Sequence, residues 1–192
     1  EGCIKMPIVL ALMLAAVAGG AAPAEGPPAR WDQQTLETAA MIPVQDAGRV
    51  KPLDTFARFS LLQMNGRRVC DTPAGERISA LEWLLDTLFY PEYAKQFQIF
   101  LIESPEVMDA IGLPHEKPRM RFTYNDLAPR RAQVMSAAQQ YAAIEDKDRT
   151  PMQRQMLNLA HNLGLFERLT QFLDFARKPV PLAEGSALQA LF

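Results

Sequence analysis

Histidine and cysteine are scarce in this 192-residue chain: it has two of each, His115 and His161, Cys3 and Cys70. No C-x-x-C-H run occurs, which excludes covalent haem attachment by that motif, and no second histidine or cysteine stands at ligand spacing to build a zinc cluster. Two cysteines make no disulfide framework, and Cys70 reads as a small apolar side chain rather than a reactive thiol. Serine nucleophile elbows, phosphate-cradling glycine loops and H-E-x-x-H are also missing. Glu103 and Glu106 stand near a strand end, where they read as solvated charges or as helix N-terminal charges favoured by the dipole. The expectation is a protein without catalytic residues, without a metal and without a cofactor.

An excess of charge of one sign is lacking too. Twenty Lys and Arg oppose 22 Asp and Glu, mixed along the chain, for a net charge of -2. That balance offers no broad basic face to neutralise phosphates, so nucleic acid is not an expected partner. Neither histidine finds a second ligand: His115 lies in the Pro-rich stretch "LPHEKP", and His161 falls beside Leu157 and Leu165, where it is expected to pack as a neutral, hydrogen-bonded side chain.

What is present begins with an uncharged run, "MPIVLALMLAAVAGGAAPA", residues 6–24, preceded by Lys5. A positive flank, an apolar stretch and a small-residue ending are the features of a signal peptide, and the run is also about long enough to span a bilayer. Residues 1–24 are therefore expected to be a signal peptide or an uncleaved membrane anchor, with the remainder on the periplasmic face because Lys5 marks the cytoplasmic end. Residues 25–30, "EGPPAR", read as a linker, 31–182 as one periplasmic helical domain and 183–192 as a tail.

Within that domain Asp32 is an N-cap for a helix ending near Met41, and Asp46-Ala47-Gly48 turns the chain between short extended pieces at Val44 and Val50. Asp54 is expected to cap the following helix, which runs to Gly66 with Phe56, Phe59 and Leu62 near one face. Ser79 with Glu82, Thr123 with Asp126 and Thr150 with Gln153 have capping-box spacing. Pro91 stops the helix that follows Ser79, and Ser104-Pro105 opens a short one that Gly112 closes. "FQIFLI", 97–102, is the best strand, with "MRF", 120–122, as its partner. Long helices are expected from about Pro129 to Glu145 and from Thr150-Pro151 to about Lys178. The stripe Met152, Met156, Leu159, Leu163, Phe166 and Leu173 on the last is core. The fold class is mainly α with a small irregular β element, a single α+β domain behind an N-terminal transmembrane or signal helix.

One stretch is denser in special residues than any helix requires: "IPVQDAGRVKPLDT", residues 42–55. Two prolines, a glycine, two cations and two carboxylates alternate with apolar residues, and Arg58, Arg67 and Arg68 follow within 13 positions. Structurally, Arg49 or Lys51 would pair with Asp46 while Pro52 stiffens the chain. Functionally, a rigid exposed loop could present cations to an acidic or amide-rich partner.

"IPVQDAGRVKPLDTFAR", "ISALEWLLDTLFYPE", "FQIFLIESPEVMDAIGL" and "RFTYNDLAP" resemble, in this order, the exported soluble segment of CcsA-type (system II) cytochrome c assembly proteins, from about Trp31 to Leu182. The resemblance implies work outside the cytoplasmic membrane, beside haem delivery to apocytochromes. The multi-spanning haem-handling part of that family has no matching positions here. Gln45, Gly48, Arg49, Lys51, Pro52, Asp54 and Thr55 carry over as motif residues and form the expected partner-binding loop. A domain of this kind apart from its membrane machinery implies a non-enzymatic accessory subunit, tethered through residues 6–24 and docking on an integral membrane electron-transfer complex. That complex would be a photosynthetic reaction centre or a respiratory cytochrome complex, with a c-type cytochrome nearby. The alternative is a cytochrome c maturation factor that holds apocytochrome or assists haem delivery.

Overall fold

The structure, a computed structural model, describes residue 27 and residues 29–177. The expected signal peptide or anchor (1–24), most of the linker and the tail lie outside the described residues. Among the described residues no helix is long and apolar enough to cross a membrane.

Local signals build most of the elements. Asp32 caps α1 (Gln33–Ala40) by accepting from the Thr35 N–H at 2.9 Å. The hairpin of β1 (Pro43–Asp46) and β2 (Arg49–Pro52) leads directly into α2 (Leu53–Asn65). A second hairpin, β3 (Val69–Asp71) with β4 (Arg77–Ser79), delivers Ser79 as the cap of α3 (Ala80–Phe89), with both bonds of its capping box to Glu82 in place. Then come α4 (Pro91–Ala94), β5 (Phe100–Ile102), α5 (Pro105–Ala110) and β6 (Met120–Phe122), the last antiparallel to β5. Thr123 and Asp126 box the start of α6 (Tyr124–Leu127), α7 (Arg131–Ala142) follows a 3₁₀ turn, and Thr150 with Gln153 boxes α8 (Pro151–Gln171) before α9 (Asp174–Arg177). Among the described residues the architecture is mainly helical with three two-stranded antiparallel sheets.

The hydrophobic core surrounds α3. Seven of its ten residues are buried, and Trp83 and Leu84 have no exposed surface. Helices α2 and α8 both pack against it and are themselves joined by an amide pair: Gln63 Nε2 donates to Asn162 Oδ1 at 2.8 Å, and Asn162 Nδ2 donates back to the Gln63 carbonyl at 3.3 Å. Phe100 of β5, Tyr124 of α6 and Phe166 of α8 form an aromatic cluster, with the Phe100–Phe166 rings edge-on at 5.5 Å. Glu167 closes its rim, accepting from the Tyr124 hydroxyl at 3.0 Å and from Nε and Nη2 of the Arg131 guanidinium.

Several expectations are corrected. Asp54 does not cap α2. Leu53 is already the first helical residue, so the cap position falls to Pro52 (φ -60°, ψ 145°), and Asp54 lies in the first turn, bonded to Arg58. The buried face of α2 is Leu53, Ala57, Ser60, Leu61 and Met64, which keeps the 3.6-residue period. Phe59 is out of that phase and is 56% exposed. Only 100–102 of "FQIFLI" pairs as a strand, because the Ile99 N–H bonds the Phe97 carbonyl in a tight turn and β6 is only three residues long. Helix α8 ends at Gln171, where the Phe172 N–H reaches back only to Leu169. Of its expected stripe, Met156, Leu159, Leu163 and Phe166 are buried, and Met152 and Leu173 are half-buried.

Gly66 terminates α2 in the left-handed region (φ 69°), its N–H on the Leu62 carbonyl. A Cβ there would lie 2.9 Å from Leu101 Cδ2, whereas at Gly75 (φ 87°) it would meet open space. Gly75→Ala should therefore lose only the handedness term of about 1–2 kcal/mol. Gly66→Ala should lose more, because Leu101 must also move. Urea denaturation of both variants measures the difference, and equal losses would contradict the packing at Gly66.

Candidate functional site

The hairpin that carries the distinctive motif has a two-residue turn in which both central residues have positive φ, Ala47 at 50° and Gly48 at 76°. This is the type I′ arrangement whose twist suits two flanking strands. Glycine takes it freely, while Ala47 carries handedness strain of about 1–2 kcal/mol. Pro43 faces Pro52, Val44 faces Lys51, Gln45 faces Val50 and Asp46 faces Arg49. Because strand side chains alternate, Val44, Asp46, Arg49 and Lys51 share one face and Gln45 and Val50 the other. The base is tied by the Leu53 N–H to the Ile42 carbonyl at 2.8 Å, and Leu53 is buried in the core. The loop is thus a rigid projection on a buried foot.

The motif cations separate into different environments. Lys51 Nζ lies 2.6 Å from Asp46 Oδ2 and 6.0 Å from the ring centre of Phe59. Arg68 approaches the same ring at 5.9 Å, so exposed Phe59 is flanked by two cations at distances that favour attraction to its π face. Arg58 is held by Asp54. Arg49 is exposed at the tip without an ion-pair partner among the described residues. Gln45 is exposed and Thr55 is half-buried in the first turn of α2. Around this hairpin stand the exposed apolar side chains Met41 (75%), Ile42 (48%) and Val50 (73%). Charge drew attention to the loop in the sequence, and the apolar partners were missed. Their signal was Phe59, an aromatic residue out of phase with the buried face of its helix.

A second polar cluster fixes the start of the domain. Asp86 of α3 has no exposed side-chain surface, yet its carboxylate accepts from the Trp31 indole N–H at 2.8 Å and from Arg30 Nη1 at 3.4 Å. Arg30 also donates to Glu82 at 3.1 Å, and Glu82 accepts from the Ser79 N–H and hydroxyl. Burial pushes Asp86 above the ordinary carboxylate range, and the Trp31 bond and Arg30 oppose this without cancelling it. Burial acts the same way on Glu82, but there the Ser79 bonds and Arg30 outweigh it and leave the group below its ordinary range.

The remaining candidates have structural settings. Cys70 is buried in β3, and burial pushes its thiol up to about 12, so it stays protonated. His115 Nε2 lies 3.0 Å from Asp109 Oδ1. His161 corrects an expectation: it is exposed on α8 rather than packed, because the buried positions around it are Leu159, Ala160, Asn162 and Leu163. Glu103 is paired with Arg119 at 2.9 Å and Glu106 accepts from Ser104. Among the described residues no group of three or more His, Cys, Asp or Glu side chains is placed to hold a metal ion. Compared with known proteins, the chain matches no family model, no curated protein and no solved structure.

The opposite shifts of the two carboxylates give a pH signature. A raised acid stabilises the fold below its ordinary range and loses that contribution as pH rises through its folded value; a lowered acid contributes above its ordinary range and loses it as pH falls through its folded value. Across about pH 2 to 7, Asp86→Asn should remove a fall in thermal midpoint with rising pH, and Glu82→Gln should remove a rise. Identical profiles for both variants and the parent would refute the assignment. Trp31→Phe, which takes one donor from a buried carboxylate, should destabilise by about 1–3 kcal/mol.

Proposed function

We propose that this chain is a non-enzymatic protein-docking subunit that engages its partner through the β1–β2 hairpin and the adjoining flank of α2. The observation that carries the reading is the side-chain mixture around a rigid projection: Met41, Ile42, Val50 and Phe59 exposed, with Lys51 and Arg68 against the Phe59 ring and Arg49 at the tip. Exposed apolar side chains rimmed by cations suit a protein surface with apolar pockets and an acidic or amide-rich margin. The buried foot at Leu53 supports the same reading, because a projection already held in shape loses little conformational freedom on binding.

The identity of the partner comes from the motif resemblance. On that basis the subunit sits on the periplasmic face, tethered through residues 6–24, and steadies an integral membrane electron-transfer complex or shapes the site where a c-type cytochrome docks. Gln45, Gly48, Arg49, Lys51, Pro52, Asp54 and Thr55 serve this role in two ways. Gln45 and Arg49 touch the partner, while Gly48, Lys51, Pro52, Asp54 and Thr55 hold the projection and the helix behind it.

The variant Arg49→Glu/Val50→Asp/Phe59→Ser alters three exposed side chains and should leave the thermal midpoint within a few degrees of the parent, since exposed substitutions generally change stability by about 0.5 kcal/mol or less. Recovery with the membrane complex after mild solubilisation should fall at least about tenfold, a loss of about 1.4 kcal/mol. Undiminished co-purification would overturn the docking surface. By contrast, Lys51→Glu faces Asp46 at close range and should destabilise the hairpin itself.

A further inference from the structure

Away from the hairpin, a cavity of about 560 Å³ opens between the C-terminal end of α2, the β3–β4 hairpin, the segment joining α4 to β5, and β6. Arg67, Arg77 and Arg121 line it against a single carboxylate, Asp71, so two positive charges are left over. Asp71 is itself engaged by Arg77 at 3.2 Å. Glu103, the other acid near Arg121, is engaged by Arg119.

Arg121 is held in place by uncharged groups. Its Nε donates to Asn65 Oδ1 at 2.5 Å and its Nη2 to the Asn65 carbonyl at 3.0 Å. A guanidinium has five N–H donors, so three on Arg121 remain without a protein acceptor among the described residues. Arg67 is exposed on the same cavity with no hydrogen bond or ion pair among the described residues, and Gln98 adds a side-chain amide in the same condition. By contrast, the Arg131–Glu167–Tyr124 group is mutually satisfied.

We propose that this cavity binds a small oxyanion carrying two negative charges, a phosphate monoester or a dicarboxylate, between the guanidinium groups of Arg67 and Arg121 with Gln98 at its edge. A guanidinium edge can donate to two oxygens of a carboxylate or phosphate at once, and the charge of the ligand equals the uncompensated charge of the lining. Burial first, and then repulsion from Arg67 and Arg119, hold Arg121 below the ordinary arginine range, and a bound anion would offset the repulsive part. The buried Asn65 side chain fixes the geometry: besides accepting from Arg121 it donates to the Val69 carbonyl at 2.8 Å, so the helix end and β3 brace the guanidinium together.

Titration calorimetry of the full chain with inorganic phosphate and, separately, with succinate tests this, using chloride at matched ionic strength as the control. Saturable binding of at least one of the two, weakened at least tenfold by Arg67→Gln at unchanged thermal midpoint, is the expected result. Phosphate alone assigns a phosphate monoester, and succinate alone assigns a dicarboxylate. Backbone amide shifts on titration should concentrate at Asn65, Arg67, Gln98 and Arg121, a readout that stays available if Arg121→Gln fails to fold. Binding of neither anion, equal binding by Arg67→Gln, or a response that chloride reproduces would each overturn the site.

Discussion

A carboxylate with no access to solvent, Asp86, lies in the helix against which α1, α2, α4 and α8 all pack. Burying a charge is tolerable only when hydrogen bonds and an opposite charge replace the lost water. Those replacements come from Trp31 and Arg30, more than fifty positions earlier in the chain. The start of the domain is thereby fastened to its centre, and the Trp31 ring, once oriented by its N–H, packs at 5.7 Å from Phe89 at the far end of α3. From that fixed frame the chain runs through α1 to the hairpin and α2, so the exposed projection inherits its position from an internal polar contact.

The two candidate surfaces sit at opposite ends of α2 and differ in kind. At its beginning, proline and the buried Leu53 fix a short ribbon whose outward side chains are apolar and cationic. At its end, Gly66 and Asn65 arrange cations around a concavity. One end has the form of a contact with a broad surface, the other of a contact with a compact anion. Both depend on α2 keeping its register against α3 and α8, which is the task of small Ala57 and Ser60 and of the Gln63–Asn162 amide pair.

What could be read in the residues was local. Three capping boxes, the Asp32 cap, the Asp46-Ala47-Gly48 turn and the β5–β6 pairing all occur as expected, because each is decided by chemistry within a few positions or by a strong apolar run. The expectations that failed depended on phase or on distance. Phe59 is apolar and lies in a helix, yet it is one step out of the period that Leu53, Ala57, Leu61 and Met64 define. His161 has apolar neighbours in sequence but is exposed. Asp54 looked like a cap because aspartate is a preferred N-cap residue, while Leu53 had already entered the helix. The contacts of Arg30 with Asp86, of Arg121 with Asn65 and of Gln63 with Asn162 join segments 56, 56 and 99 positions apart, and no spacing rule foresees such pairs.

The Arg30 contact also has a mechanical side. A pull on the chain at residue 29 would be carried through a guanidinium and an indole directly into the central helix rather than into the hairpin or the cavity. A pull at that end would leave the surfaces the domain offers to other molecules in shape.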